Sequence, residues 1–352
     1  MEPKWHTGLL MLAVVIGAVL RVPGMGDALN HDEVYTWEAF ASQSFATIAT
    51  HYPVPNNHVF HSMLVRLASL AFGQSEAALR SPAFISGLLA IPAVWVMVRV
   101  VLQSATGAAV AAWIMALAPV HIRYSASARG YSMMILLSVL ALLCLWQAMG
   151  GHARSWIASP SRLWWGGWAG CAFLAAYTVP SAGLFVLAAG GWDLVDALRG
   201  EVATRRQRLV PLVYSSGIAL IGIVGAYWPI RSQMAAAGAH FGVDLDADPS
   251  AVLSLAWQTL SLVTGGWSGG IALALAALGG AVIMARRTVR GHGRLLLMSA
   301  MILLVPIAAS FVYGTAPQAR GLIFLLPVIV LLGSYSVCQL PSRSLQIAAV
   351  VA

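Results

Sequence analysis

The sequence predicts an all-α, polytopic membrane protein with about ten to eleven transmembrane helices and two amphipathic helices lying along the outer surface after the first span. Three observations predict it. Of 352 residues, 59% are apolar and only 9% are charged, whereas a soluble domain carries roughly 25% charged residues. The mean hydropathy is +0.80. The charges also fall almost wholly between apolar runs, nearly all of which reach the ~18 to 20 residues that cross a ~30 Å hydrocarbon core. A cytosolic globular protein is excluded. The net charge of +8 does not indicate a nucleic-acid partner, because the basic residues sit between apolar runs.

The spans are read at about 5–22, 81–99, 103–120, 131–150, 163–178, 181–198, 209–230, 269–285, 295–313 and 321–338, with an eleventh beginning near Leu345. The first is read as uncleaved, since Arg21-Val-Pro-Gly offers no clear small-residue cleavage site. Orientation follows from the basic clusters, which cytoplasmic loops retain. Arg199, Arg205, Arg206 and Arg208 form one cluster, Arg286, Arg287, Arg290 and Arg294 another, and Lys4, Arg154, Arg162 and Arg343 extend the set. Placing these inside requires a hairpin near Thr178-Val-Pro-Ser181. Trp164, Trp165, Trp168, Trp192 and Trp228 lie near span ends, as interfacial aromatics do. Cys144, Cys171 and Cys338 fall inside apolar runs and imply no disulfide framework. The whole chain, 1–352, reads as one transmembrane domain with no separate soluble domain.

The outer side then receives 23–80, 121–130, 231–268 and 314–320. In the first of these, Val34, Trp37, Ala41, Phe45 and Ile48 make one apolar helical stripe. Val59, Met63, Leu67 and Leu70 make another, which Gly73 terminates. Neither a repeat nor a Gly-rich phosphate loop is visible.

Candidate chemistry concentrates on that side. In Asn30-His-Asp-Glu33, Asn30 and Glu33 fit a capping box and Asp32 complements the helix dipole. Alternatively, Asp32 at the membrane surface is a general base. Asn56-Asn-His-Val-Phe-His61 opens the second helix. His58 and His61 could share a face and, with Asp32 or Glu33, bind a divalent metal, or simply form polar lining. His240 has the same standing, as ligand or loop residue. Asp244, Asp246 and Asp248 lack the Gly and Glu of a calcium loop and read as caps or solvated residues. Seven arginines (Arg21, Arg66, Arg80, Arg123, Arg129, Arg231 and Arg320) lie where the orientation rule disfavours them. Each is either a phosphate ligand, which the guanidinium fork suits, or a snorkelling or ion-paired side chain.

The order of these features resembles the GT-C-type glycosyltransferases that depend on lipid-phosphate sugars, in the subgroup of protein mannosyltransferases and bacterial aminoarabinose and lipopolysaccharide-core transferases. The likeness rests on the acidic pair after the first span, the Asn-His segment, Ser75-Glu-Ala-Ala-Leu-Arg-Ser-Pro82, Tyr124-Ser-Ala-Ser-Ala-Arg-Gly-Tyr131, and Arg320-Gly-Leu-Ile-Phe-Leu-Leu-Pro327. It covers roughly residues 8 to 335.

The resemblance implies an inner-membrane enzyme, working on the periplasmic or extracellular side, that moves a sugar from a polyprenyl-phosphate carrier to a hydroxyl-bearing acceptor (glycan, lipid or protein). Asp32 would be the base and Glu33 its partner. Arg129, Arg320, Arg231 and Tyr131 would hold the donor phosphate, and Asn57, His58 and His61 would line the substrate site. A one-step displacement would invert the anomeric carbon. Val59 and Phe60 replace the family's Pro-Pro, a departure that bears on loop geometry and metal. The chain is expected to lack the outward C-terminal domain of several relatives, which would leave acceptor recognition to the loops. The alternatives are a transporter or flippase, a non-catalytic relative that binds lipid phosphate, and a polymerase or ligase using a diphosphate donor. A transporter would need ionisable residues near the midplane, whereas here charges crowd to span ends.

Overall fold

The computed structural model describes residues 5–150, 161–200, 202–241, 243–244, 250–264, 267–287 and 292–342. Lys4, Arg154, Arg290, Arg343, Asp246, Asp248 and the eleventh span near Leu345 lie outside these residues. The chain is almost wholly helical. α1 (Trp5–Arg21) is followed by α2 (His31–Thr36), a single π-helical turn (Trp37–Ala41), α3 (Phe45–Thr50) and α4 (Val59–Phe72). Next come α5 (Glu76–Leu102), α6 (Ala105–Leu117), α7 (Pro119–Ser125), α8 (Tyr131–Ala148), α9 (Ser161–Thr178), α10 (Ala182–Arg199) and α11 (Val202–Tyr227). The described chain continues through α12 (Arg231–Phe241), α13 (Ala251–Thr264), α14 (Trp267–Arg286), α15 (His292–Tyr313), a 3-10 segment (Ala319–Leu325) and α16 (Leu326–Cys338). Two-residue strands at Val243–Asp244 and Thr315–Ala316 pair antiparallel.

Each of the ten spans read from the sequence falls on a helix. Among the described residues, five helices are long and apolar enough to cross a membrane unaided, and six if α6 and α7, bent by 59° at Ala118, count as one. The difference from ten has a local cause. α1 has 17 residues, and α9 and α10 carry several glycines and polar residues that dilute their hydropathy. These shorter or less apolar helices pack against more apolar neighbours, notably α9 against α8 and α10 against α15.

The first amphipathic stripe is broken in two. Ser44 caps a fresh helix by accepting the Thr47 N–H, so α3 does not continue the turn before it. The second forms one helix, ended at Gly73 with φ +85°. Only the later half of its stripe faces away from the protein: Leu67 and Leu70 are exposed, whereas Val59 is buried with Met63 packed against its cluster, and His61, Val65 and Ala68 are buried too. That half presents its apolar residues as a helix lying along lipid does.

α8 forms the centre, with α5, α9 and the 3-10 segment around it. Trp168, Trp192, Phe185 and Phe324 are fully buried. At the end of the bundle where α8 and α10 finish, the buried Asp193 and its neighbour Asp196 take Arg208 at 3.1 and 2.7 Å, and Asp196 also accepts Arg294 Nε at 2.8 Å. Arg208 and Arg294, read from the sequence as loop charges, therefore turn inward and tie α10, α11 and α15 together.

α14 and α16 cross at closest range where Gly280 meets the Leu332 carbonyl, a gap that a Cβ would fill. Gly280→Ala must push the two helices apart. A loss on the order of 1–3 kcal/mol, read as a lower Tm of the detergent-purified protein, is expected; an unchanged Tm would mean that the two helices do not pack this tightly.

Candidate active site

The site is built outward from the first turn of α2. Asn30 Oδ1 accepts the Glu33 N–H at 3.1 Å, and Glu33 Oε2 accepts the Asn30 N–H at 3.0 Å, a complete capping box. Glu33 also binds Arg80 from α5, through Nε to Oε1 and Nη2 to Oε2, both at 2.8 Å, and Oε1 accepts the Ala128 N–H at 2.7 Å. The side chain is 1% exposed and its oxygens are fully occupied. Arg80 spends its remaining donors on the carbonyls of Gly24, Asp27 and Ala28. One ion pair thus joins the loop after α1, the start of α2, α5 and the turn before α8.

Fixing Glu33 fixes its neighbour. The Asp32 carbonyl accepts Thr36 Oγ1 at 2.8 Å and Asn56 Nδ2 at 3.0 Å. The Asp32 carboxylate remains 38% exposed. Its Oδ2 accepts Arg320 Nη1 at 2.6 Å and lies 3.5 Å from Arg129 Nη1. Arg129 is buried, and its Nη2 reaches the Tyr131 hydroxyl at 3.4 Å. Asp32, the turn holding Arg129 and Tyr131, and Arg320, far apart in sequence, therefore come together.

The turn that delivers Arg129 needs its glycine. A Cβ on Gly130 would come within 2.6 Å of Thr178 Cγ2 and 3.1 Å of His58. The Gly130 N–H donates to His58 Nδ1 at 2.8 Å, which puts the ring proton on Nε2. Burial, and then the neighbouring Arg129, holds His58 well below the usual histidine range, so it is neutral.

Two cavities adjoin this cluster. One, of about 410 Å³, is predominantly polar and is lined by Asp32, Glu33, Arg21, Arg80, Arg123 and Arg129. The other, of about 310 Å³, is predominantly apolar and is lined by His58, Tyr52, Val179, Leu184, Met234 and Tyr313. Tyr131 and Arg320 line both.

Other expected site residues fall elsewhere. Arg231 is exposed, donates to the Trp228 carbonyl and lies over the Trp228 ring at 4.4 Å, outside both linings. Asn57 is buried and committed: Nδ2 donates to the Ile48 and His51 carbonyls, and Oδ1 accepts Ser62 Oγ. His61 is sealed in, with neither ring nitrogen hydrogen-bonded, and burial lowers its pKa to about 3. His240 falls in α12, and its side chain lies outside the described residues. His58 Nδ1 is taken, His61 is enclosed, and among the described residues no three His, Cys, Asp or Glu side chains gather as a metal site.

The sequence listed Arg80 and Arg21 as outer-side cations but did not assign them. Arg80 is Glu33's partner across 47 residues. Arg21 is buried against α6, donating to the Gly17, Ala116 and Met115 carbonyls and to His121 Nδ1. No periodicity could reveal either, because both contacts depend on how separate helices pack.

Burial alone would raise the Glu33 carboxyl. The hydrogen bonds from Arg80, Asn30 and Ala128 outweigh that and hold it below the usual range. A folded value below the unfolded one means that the pair's stabilisation is complete above the unfolded glutamate value of about 4.3. It is lost as pH falls through the folded value. Glu33→Gln, which leaves Arg80 buried without its counter-charge, should cost about 3–5 kcal/mol and flatten the acid limb of Tm against pH. Wild-type Tm at neutral pH in the variant would remove the pair from its central role.

A family model described as dolichyl-phosphate-mannose-protein mannosyltransferase matches residues 56–228, just under half of the chain. That stretch holds His58, Arg80, Arg129 and Tyr131 but neither Asp32 nor Arg320. No curated protein matches the chain. Among solved structures, ArnT from Cupriavidus metallidurans bound to undecaprenyl phosphate aligns with 17% identity and TM-score 0.61, over 98% of this chain and 62% of that one. The apo oligosaccharyltransferase of Archaeoglobus fulgidus aligns with 15% identity and TM-score 0.63, over 96% and 50%. The oligosaccharyltransferase AglB of Archaeoglobus fulgidus, in complex with an inhibitory peptide and a dolichol-phosphate, aligns with 15% identity and TM-score 0.60, over 99% and 54%. The chain spans about half to three fifths of these structures' length. Its fold is the one these solved structures share, and the family match covers the stretch that holds the Asn-His and Arg-Gly-Tyr segments.

Proposed function

We propose that this chain is an inner-membrane glycosyltransferase that moves a sugar from a polyprenyl-phosphate carrier to a hydroxyl-bearing acceptor on the periplasmic or extracellular face. The observation that carries the reading is the meeting of Asp32, Arg320, Arg129 and Tyr131 where an apolar and a polar cavity share a wall. Two of the similar structures, with undecaprenyl phosphate and dolichol-phosphate bound, support the carrier class. A third, tethered to an acceptor peptide, supports a separate acceptor. The arginines gathered at the opposite end, around Arg199, Arg205 and Arg286, support an outward-facing site.

The apolar cavity takes the donor. Its wall includes Tyr313, whose neighbours Phe311 and Val312 are exposed apolar surface of the kind lipid covers. The donor phosphate seats on Arg320 at the shared wall and draws that guanidinium from Asp32. Asp32 Oδ2 is then free to accept a proton from the acceptor hydroxyl in the polar cavity. The hydroxyl oxygen bonds to the anomeric carbon as the bond from that carbon to the phosphate oxygen breaks, and the electron pair leaves on the phosphate. Arg320 and Arg129, already positioned, stabilise the departing anion. No proton donor to the leaving group is required. Glu33 acts as a positioning residue, because its oxygens are occupied. The energy of the phosphodiester replaces a nucleotide.

Asp32→Asn keeps the hydrogen bond to Arg320 but cannot take a proton. It should lower transfer by about 10²-fold or more while the purified protein still binds undecaprenyl phosphate; retained transfer would remove Asp32 from the mechanism. The product's anomeric configuration, read by NMR coupling constants, should be inverted relative to the donor, and retention would exclude single displacement.

A further inference from the structure

The bend between α6 and α7 deprives backbone carbonyls of their helical donors. Pro119 carries no N–H for the Met115 carbonyl four residues before it, and the chain turns by 59° at Ala118. Arg21, at the end of α1, supplies donors in their place. Its Nη1 donates to the Ala116 carbonyl at 3.0 Å and to the Gly17 carbonyl of its own helix at 2.7 Å. Its Nη2 donates to the Met115 carbonyl at 3.3 Å and to His121 Nδ1 at 2.8 Å. A guanidinium can only donate, so His121 Nδ1 accepts and the ring is neutral, with its proton on Nε2. His121 Nδ1 and the Met115 carbonyl oxygen then face each other at 2.9 Å as two acceptors. A donor set between them is what holds them so close, and that donor is Arg21. The guanidinium is 0% exposed, and its planar fork ties three helices at once.

α7 is only seven residues long, so its direction decides where the next turn arrives. Its far end is seated on glycines. A Cβ on Gly87 of α5 would collide with the Ser125 side chain, and one on Gly24 would come within 2.9 Å of Ala126 Cβ. The turn that follows donates the Ala128 N–H to Glu33, sets the Arg129 guanidinium beneath Asp32 and donates the Gly130 N–H to His58. Burying a charge among neutral partners is costly, and a neutral amide could have met one carbonyl without it. What the guanidinium adds is an angle. α1, α6 and α7 are fixed together at the point from which the Arg129 turn departs.

We propose that Arg21, with His121 as its acceptor, is a positioning residue of the reaction. It touches no substrate. By fixing the bend between α6 and α7 it holds Arg129 beside Arg320, where the leaving phosphate anion develops. The inference rests on the donor reading above and adds to it a residue that acts through Arg129.

The test uses the full chain in nanodiscs with two probes, undecaprenyl phosphate and undecaprenol, and reads the ratio of their affinities. General loosening of the fold lowers both affinities alike, whereas a displaced Arg129 lowers the phosphate affinity alone. Wild type should prefer the phosphate, and Arg129→Gln should remove much of that preference. Arg21→Lys keeps the charge but not the fork, and should lower the ratio about tenfold. In the Arg129→Gln background it should lower the ratio no further, as residues that act through one contact do. His121→Leu, which removes the acceptor and keeps the arginine, should lower the ratio too. His121→Asn, whose Oδ1 stands where Nδ1 stood, should restore it, and this second pair decides the matter where Arg21→Lys does not fold. A wild-type ratio in Arg21→Lys or in His121→Leu overturns the inference, as does an Arg21→Lys effect that adds in full to that of Arg129→Gln; the donor reading survives each of these. No preference for phosphate in wild type, or an unchanged ratio in Arg129→Gln, overturns both.

Discussion

The buried pair of Glu33 and Arg80 is the constraint on which the site depends. A carboxylate taken out of water is tolerable only when every lone pair is met. Here two oxygens receive donors from Arg80, Asn30 and Ala128. Those donors come from three separate stretches of chain, and Arg80 adds the loop after α1 through its carbonyl contacts. The pair therefore sets the relative positions of α2, α5 and the turn before α8. It acts with the bonds from Asn56 and Arg129 to the Asp32 carbonyl, which hold Asp32 opposite Arg129.

Two adjacent acidic residues are thus given opposite environments. Glu33 is saturated and enclosed, whereas Asp32 keeps an open face and pairs with the Arg320 and Arg129 guanidinium groups. Successive residues on a helix point about 100° apart, so one turn can bury the first and present the second. The glycine before Tyr131 has a parallel function. It lets the backbone come close enough for its N–H to fix the His58 ring, and the same turn sets the buried Arg129 beneath Asp32.

How much of this was legible beforehand differs by kind of signal. The helices were readable because apolar runs have a length, and all ten anticipated spans coincide with helices. The capping box was readable because its spacing is local. Asp32, Arg129, Tyr131 and Arg320 were found together only through the family resemblance, since nothing in their spacing brings them to one point. The partner of Arg80, the inward turn of Arg208 and Arg294, and the burial of Arg21 were not readable, because each arises from contacts between helices. Arg231 and Asn57 show the converse error. A polar residue in a suggestive segment is most simply satisfied by its own neighbourhood, the Trp228 ring for one and loop carbonyls for the other.

Tyr131 and Arg320 belong to both hollows, and a partition with two faces cannot be disturbed on one side alone. Whichever molecule arrives first resets the guanidinium and the phenol that the second will meet. Linkage then requires that each alter the other's affinity by an equal factor. On the proposed function, the order in which donor and acceptor load would therefore be set at this shared wall.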